Sequence, residues 1–178
     1  MPARRRDGAD AGKPRMPAVE PSPLSDRQAL TDLAGRYAWA VDSRDWPLLR
    51  TCFAARITAD FVSLVPGRAF QGPAEEWVGQ IRALIDGMDA TQHLLGQHMH
   101  WLDGDRARAV VYMQATHVLA NEQGDPSYTI GGHYDFSLRR EPDGGWLIAA
   151  YALKLAWRSG NRAIFRLASK RTQARGQG

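Results

Sequence analysis

The chain has 178 residues, 44% of them hydrophobic, which suits one globular domain with a sizeable core. Its formal charge of +4 sits at the ends: Arg4, Arg5, Arg6, Lys13 and Arg15 outnumber the early acids, Arg166, Lys170, Arg171 and Arg175 have none beside them, and residues 25–165 are net −2. That distribution argues against a nucleic-acid footprint on the body. The single cysteine, Cys52, excludes an intrachain disulfide and a cysteine zinc cage, and no apolar run has the length of a membrane span or a signal peptide.

Residues 1–23 are rich in Arg, Asp, Gly, Ala and Pro without apolar periodicity and read as a disordered tail, with Met16 as an alternative start. Ser25 is the expected cap of a helix whose apolar face runs through Leu30, Leu33, Ala34, Tyr37, Ala38 and Val41 to Asp42. Asp45-Trp46-Pro47 opens a second short helix to Phe53. A strand over Ile57 to Val65 turns back at Pro66-Gly67, and a third helix runs from Gly72-Pro73 through Leu84. Four β segments follow: Thr91 to Trp101, Arg106 to Ala120, Tyr128 to Arg140 and Trp146 to Trp157, separated by Asp103-Gly104-Asp105, Gly124-Asp125-Pro126 and Pro142-Asp143-Gly144-Gly145. Helices followed by an antiparallel meander predict an α+β domain over 24–165, with 166–178 as a basic C-terminal tail. Gly131-Gly132 inside the third of these strands predicts a kink that curves the sheet.

Asp42 and His93 are both embedded among apolar residues, where an ionisable side chain is costly unless it is paired. As a couple they form a general base, the carboxylate orienting the imidazole and stabilising its protonated form. A histidine among apolar residues is also what a satisfied core histidine looks like, so only the fold can bring the two together. Strand parity places His93 and His98 on opposite faces in the absence of a bulge, and places His117 with Ala107, Ala109, Val111, Met113 and Ala115. Neither an HxxxH spacing nor a Gly-rich phosphate loop or dinucleotide fingerprint is present, so no metal and no cofactor is expected. Trp39, Trp77 and Trp157 read as core, and Lys154 as a snorkelling side chain or, if inside a pocket, an oxyanion partner.

The stretch Trp39 to Trp46, the run Pro73-Ala74-Glu75-Glu76-Trp77-Val78-Gly79, the tripeptide Thr91-Gln92-His93 and the strand start Gly144-Gly145-Trp146 occur in an order and at separations that resemble the scytalone dehydratase branch of the SnoaL-like (NTF2-like) superfamily. The resemblance spans Leu24 to Phe165 and extends to bile-acid dehydratase and dehydrochlorinase relatives. It implies an NTF2-like cone, with N-terminal helices packed on a curved, mostly antiparallel sheet around an apolar pocket. It also implies roles: His93 as the base, Asp42 as its partner, and His117 as a second pocket histidine. Tyr134 and Tyr151, with Phe61, would bind substrate. Val41 and Phe61 stand where scytalone dehydratase has tyrosines, which puts the scytalone reaction itself in doubt, whereas Tyr37, five residues before Asp42, matches the tyrosine-aspartate spacing of the bile-acid dehydratase-like relatives.

The expected function is a cofactor-independent, cytoplasmic lyase of dehydratase type, eliminating water or another small group from a hydrophobic, cyclic carbonyl compound. The same dyad would equally serve an isomerase or cyclase of a polyketide- or steroid-like ring, and the same pocket a non-catalytic ligand carrier. Neither nucleic acid nor membrane is an expected partner. A homodimer or homotrimer is, because Val110, Tyr112 and Ile148 would otherwise be left wet on the sheet face opposite the helices.

Overall fold

The computed structural model describes residues 24–175; the expected N-terminal tail and residues 176–178 lie outside the described residues. The elements are α1 (Leu24–Ser43), α2 (Trp46–Thr51), β1 (Phe53–Asp60), β2 (Ala69–Pro73), α3 (Ala74–Ile85), β3 (Ala90–Asp103), β4 (Arg106–Val118), β5 (Ser127–Arg140), β6 (Trp146–Gly160) and α4 (Ile164–Arg175). One six-stranded sheet has the order β2-β1-β6-β5-β4-β3. Its pairings are antiparallel except where β1 lies parallel to β6. The sheet stays open, and with the helices it makes the α+β, NTF2-like cone.

The α1 side chains at three-and-four spacing, from Leu30 to Val41, are buried as the periodicity requires. Ser25 lies inside α1, one residue past its first described position. Asp26 anchors the start of the helix to the sheet: Arg140 donates to it through both terminal guanidinium nitrogens at 2.9 and 2.7 Å, and the Trp146 indole adds 3.1 Å. This bidentate geometry is the stronger kind of ion pair. Asp45 caps α2 by accepting from the Leu48 amide at 2.9 Å, with Pro47 in the first turn where no amide donor is needed.

Three irregularities set which side chains face inward. The β5–β6 register shifts between Gly131 and Gly132, where a Cβ on Gly132 would overlap the Lys154 backbone carbonyl, so the expected kink is a bulge that glycine permits. A second shift, between Ser137 and Leu138, leaves Ile148 opposite Leu138 and fully buried rather than on the outer face. A third falls in β3: the two residues between Leu95 and His98, Gly96 and Gln97, oppose the single Tyr112 between Met113 and Val111. The extra residue turns His98 to the same face as His93, against the alternation expected for an unbulged strand.

Several boundaries differ from expectation. The second helix stops at Thr51, so Phe53 begins β1 instead of ending the helix. β1 ends at Asp60, because its neighbours pair only that far: Asp60 is matched with Ala69 on one side and Ala152 on the other. Phe61 therefore leaves the strand, and residues 61–68 form a loop closed by bonds from the Leu64 and Val65 amides to the Phe61 carbonyl. The expected basic tail from 166 is the helix α4, whose Ile164 and Ala168 are fully buried. It packs on α3 and passes so close to Gly87 that a Cβ there would overlap the Ala168 backbone. Trp39, 68% exposed, and Trp157, about half exposed, are not core. No helix among the described residues is long and apolar enough to cross a membrane.

Candidate active site

His93 reaches inward from β3 on the face it shares with Thr91 and Leu95, and Asp42 meets it from the last turn of α1. The Asp42 carboxylate accepts three hydrogen bonds: from His93 Nδ1 at 2.7 Å, from the His93 backbone amide at 2.7 Å and from Thr91 Oγ1 at 2.9 Å. A carboxylate can only accept, so Nδ1 is the donor, and in the neutral ring Nε2 keeps the lone pair. Burial works to raise the Asp42 pKa, but the hydrogen bonds from His93, its adjacent charge and the Thr91 hydroxyl outweigh it, and the net shift is downward.

His93 lines an apolar cavity of about 350 Å³ enclosed by α1, α3, α4, the 61–68 loop and the inner sheet face. Tyr37 and Val41 enter it from α1, and Tyr134 and Tyr151 from β5 and β6. Tyr37 lines the cavity directly, whereas Asp42 does not line it and meets it through its bond to His93. His117 lines the same cavity from β4, paired with Thr91 across the ladder, its ring centroid 5.9 Å from that of His93. Burial, then the neighbouring His93, push the His117 pKa down to about 4, against a backbone hydrogen bond to Tyr128. His117 is therefore neutral near pH 7.

The closed end of the cavity is aromatic. The Tyr37 ring lies 5.6 Å from Tyr134 and 5.7 Å from Tyr151, and Phe61 lies 5.3 Å from Tyr151. The Trp77 indole N–H donates to the Tyr151 hydroxyl at 2.6 Å. Burial above all raises the pKa values of Tyr37, Tyr134 and Tyr151, and hydrogen bonds among the three hydroxyls modulate them. All three stay protonated donors at any ordinary pH.

Every predicted site residue, His93, Asp42, Tyr37, His117, Phe61, Tyr134 and Tyr151, is thus gathered at one place, Phe61 from a loop rather than a strand. Lys154 is not: its ammonium pairs with Asp60 at 3.0 Å on the exposed side of the sheet, so it is no oxyanion partner here. Trp77 is core, as expected, and also lines the cavity with its indole N–H bonded to Tyr151. Arg68, Arg162, Phe165 and Arg166 also line the cavity and were not anticipated. For the last two the signal was present in Ile164, Phe165, Leu167 and Ala168 at helical spacing, masked by the surrounding charge. Among the described residues no group of three or more His, Cys, Asp or Glu side chains could hold a metal ion.

The sequence profile of the SnoaL-like domain matches residues 22–152. The chain belongs to the SnoaL-like family. This SnoaL-like chain is 27% identical over 156 residues to the terrestric acid biosynthesis cluster protein E of Penicillium crustosum, covering 85% of this chain and 97% of that one. It is also similar to the solved Kfla4162 protein from Kribbella flavida, with 27% identity and a TM-score of 0.75 over 80% of this chain and 97% of that one. The hexachlorocyclohexane dehydrochlorinase LinA-type3 of Novosphingobium barchaimii LL02 shares the fold, with a TM-score of 0.64 at 15% identity over 78% of this chain and 92% of that one.

Proposed function

We propose that this SnoaL-like protein is a cofactor-independent lyase that eliminates water, or a comparable small group, from a β-substituted cyclic carbonyl compound. The observation that carries the reading is the Asp42–His93 pair, with Nδ1 held at 2.7 Å by the carboxylate and the ring forming part of an apolar cavity wall. His93 Nε2 takes the proton from the carbon beside the carbonyl, and Asp42 stabilises the imidazolium that forms. The electron pair left on carbon moves to the carbonyl oxygen as an enolate. Tyr37 and Tyr151, neutral donors in a dry site, hydrogen-bond that oxygen. The Trp77 N–H occupies a lone pair of the Tyr151 oxygen, which leaves the Tyr151 proton free to be donated. Collapse of the enolate expels the β-hydroxyl, which takes the proton back from His93 and departs as water. No electrons are gained or lost overall, so the cycle needs no redox partner.

The site suits such chemistry because its lining is apolar and aromatic, which strengthens the few polar contacts within it. Likeness to a dehydrochlorinase, an eliminating enzyme on the same fold, and to a protein of a biosynthetic cluster is in keeping with it. The test is turnover of a β-hydroxy cyclic ketone, followed by the absorbance of the conjugated enone and, in D2O, by exchange of the α-proton. Enone formation that vanishes in His93→Ala supports the lyase. Exchange with a shifted double bond and no loss of water would replace it with an isomerase, and inertness in both assays would leave a ligand carrier.

A further inference from the structure

Three arginines line the cavity without a carboxylate to balance them. Arg68 comes from the 61–68 loop, Arg162 from the turn before α4, and Arg166 from its first turns. Arg162 and Arg166 are exposed and Arg68 is half-buried, so the three mark the open end, whereas the tyrosines at the other end are buried. No ion pair joins any of them to an acid among the described residues, although Arg82, Arg108, Arg140 and Arg171 elsewhere are matched with Asp86, Asp135, Asp26 and Asp89. Two are positioned by uncharged partners: the Arg68 guanidinium lies 5.6 Å from the Trp77 ring centroid, and Arg166 donates to Gln123 Oε1 at 3.2 Å. The acid nearest the chemistry, Asp42, is engaged by His93 and Thr91 and does not line the cavity.

An apolar cavity with a cationic rim and an internal base is matched by a molecule with a complementary charge at one end. We infer that the substrate is a ring acid: its reacting carbon lies against His93, and a carboxylate at the far end of the ring system is held by Arg68, Arg162 and Arg166. Guanidinium forks pair with carboxylate oxygens through two parallel bonds, which fix the orientation of the bound group. Arg162 and Arg166 lie outside the residues 22–152 that match the family, so two of the three cations come from the segment that follows β6. The inference deepens the lyase reading by naming its substrate class, yet it concerns binding and is read without turnover.

The experiment uses the full chain carrying His93→Ala, which removes the base and leaves the arginines. Calorimetric titration compares biphenyl-4-carboxylate with biphenyl-4-carboxamide, two ligands of nearly one shape that differ in charge. The carboxylate should bind about tenfold more tightly or better at low ionic strength, and the advantage should shrink as salt is raised. It should disappear in Arg162→Gln/Arg166→Gln with Arg68→Gln, and reverse in Arg162→Glu/Arg166→Glu, whose changes are confined to exposed positions. Equal affinity for the two ligands, or an advantage that survives all three Gln substitutions, would overturn the arginine subsite while leaving the elimination chemistry standing. Failure of the carboxylate to bind would overturn the subsite too, and a separate absence of enone formation in the wild-type chain would be needed to strike the lyase reading.

Discussion

The Trp77 indole N–H donates to the Tyr151 hydroxyl over 2.6 Å, joining α3 to β6 inside the cavity wall. Both rings are buried, and the indole N–H depends on the Tyr151 oxygen for its hydrogen bond. The contact makes one feature serve packing and chemistry together. It fixes the Tyr151 oxygen and leaves its proton free to be donated.

Replacing Tyr151 with Phe should strand the Trp77 N–H in an apolar wall. A buried donor left unpaired costs about 1–3 kcal/mol. Urea denaturation of Tyr151→Phe should show a loss of that size, and turnover should fall as well if Tyr151 donates to the enolate. Unchanged stability would mean that water reaches the indole.

Asp42→Asn and His93→Ala should each lower turnover by about 10²–10⁴, the range for a lost general base. The Asp42→Asn/His93→Ala double variant should be scarcely slower than either single one, since residues acting as a unit are not additive. Tyr37→Phe should be milder, on the order of ten- to a thousandfold, as for loss of one donor to a developing oxyanion. Steady-state kinetics of the four proteins, with circular dichroism to verify folding, decides; additive effects would break the dyad.

Stability should fall as acid is added between pH 6.5 and about 4. Burial holds His117 at about 4 in the folded chain, against 6.5 for an ordinary histidine. Within that window the unfolded chain binds the proton and the folded chain does not, so protonation favours unfolding; above 6.5 the effect is absent. The span amounts to roughly 3 kcal/mol. Denaturation midpoints at pH 7 and 4.5 should differ in the wild type, and the difference should shrink in His117→Asn. An equal pH dependence in that variant would assign the acid sensitivity elsewhere, to His100 first, which burial also pushes down to about 4.

Gly87→Ala should loosen α4, because the new methyl would overlap the Ala168 backbone and neither side can yield cheaply. Overpacking of this kind costs about 1–3 kcal/mol. Faster tryptic cleavage at Arg166, Lys170 and Arg171, with weaker ligand binding, is the expected result. A cleavage pattern identical to that of the wild type would show that the helix shifts without detaching.

On the outer face of the sheet Leu94, Tyr112 and Trp157 stand about half exposed. We propose that a second copy of the chain covers them, since apolar side chains grouped on one sheet face mark association surfaces. Light scattering at micromolar concentration should give a dimer or trimer mass, lowered in Tyr112→Lys. A monomeric wild-type mass would refute this.

The sequence by itself determined the element types and the inward residues wherever period and polarity agreed. The α1 face, the β4 parity that turns His117 inward, the meander from β3 to β6 and the kink at Gly131-Gly132 all follow from local rules that act within a few residues. It also marked Asp42 and His93, because ionisable groups amid apolar neighbours need partners, whereas Tyr37 was marked by the family resemblance. Only the tertiary structure decided the rest. Bulges turned His98 and Ile148 inward, and no local pattern reveals where one strand will carry an extra residue against another. The end of β1 was set by the reach of β2 and β6, which released Phe61 and the 61–68 loop to cover the cavity. The segment after 163 became a helix because α3 and the turn at Gly87 offered Ile164 and Ala168 a surface on which to bury, a gain that a basic stretch does not advertise in isolation. Through that docking Arg162 and Arg166 came to stand beside Arg68, ninety-odd residues away, at the mouth of one pocket.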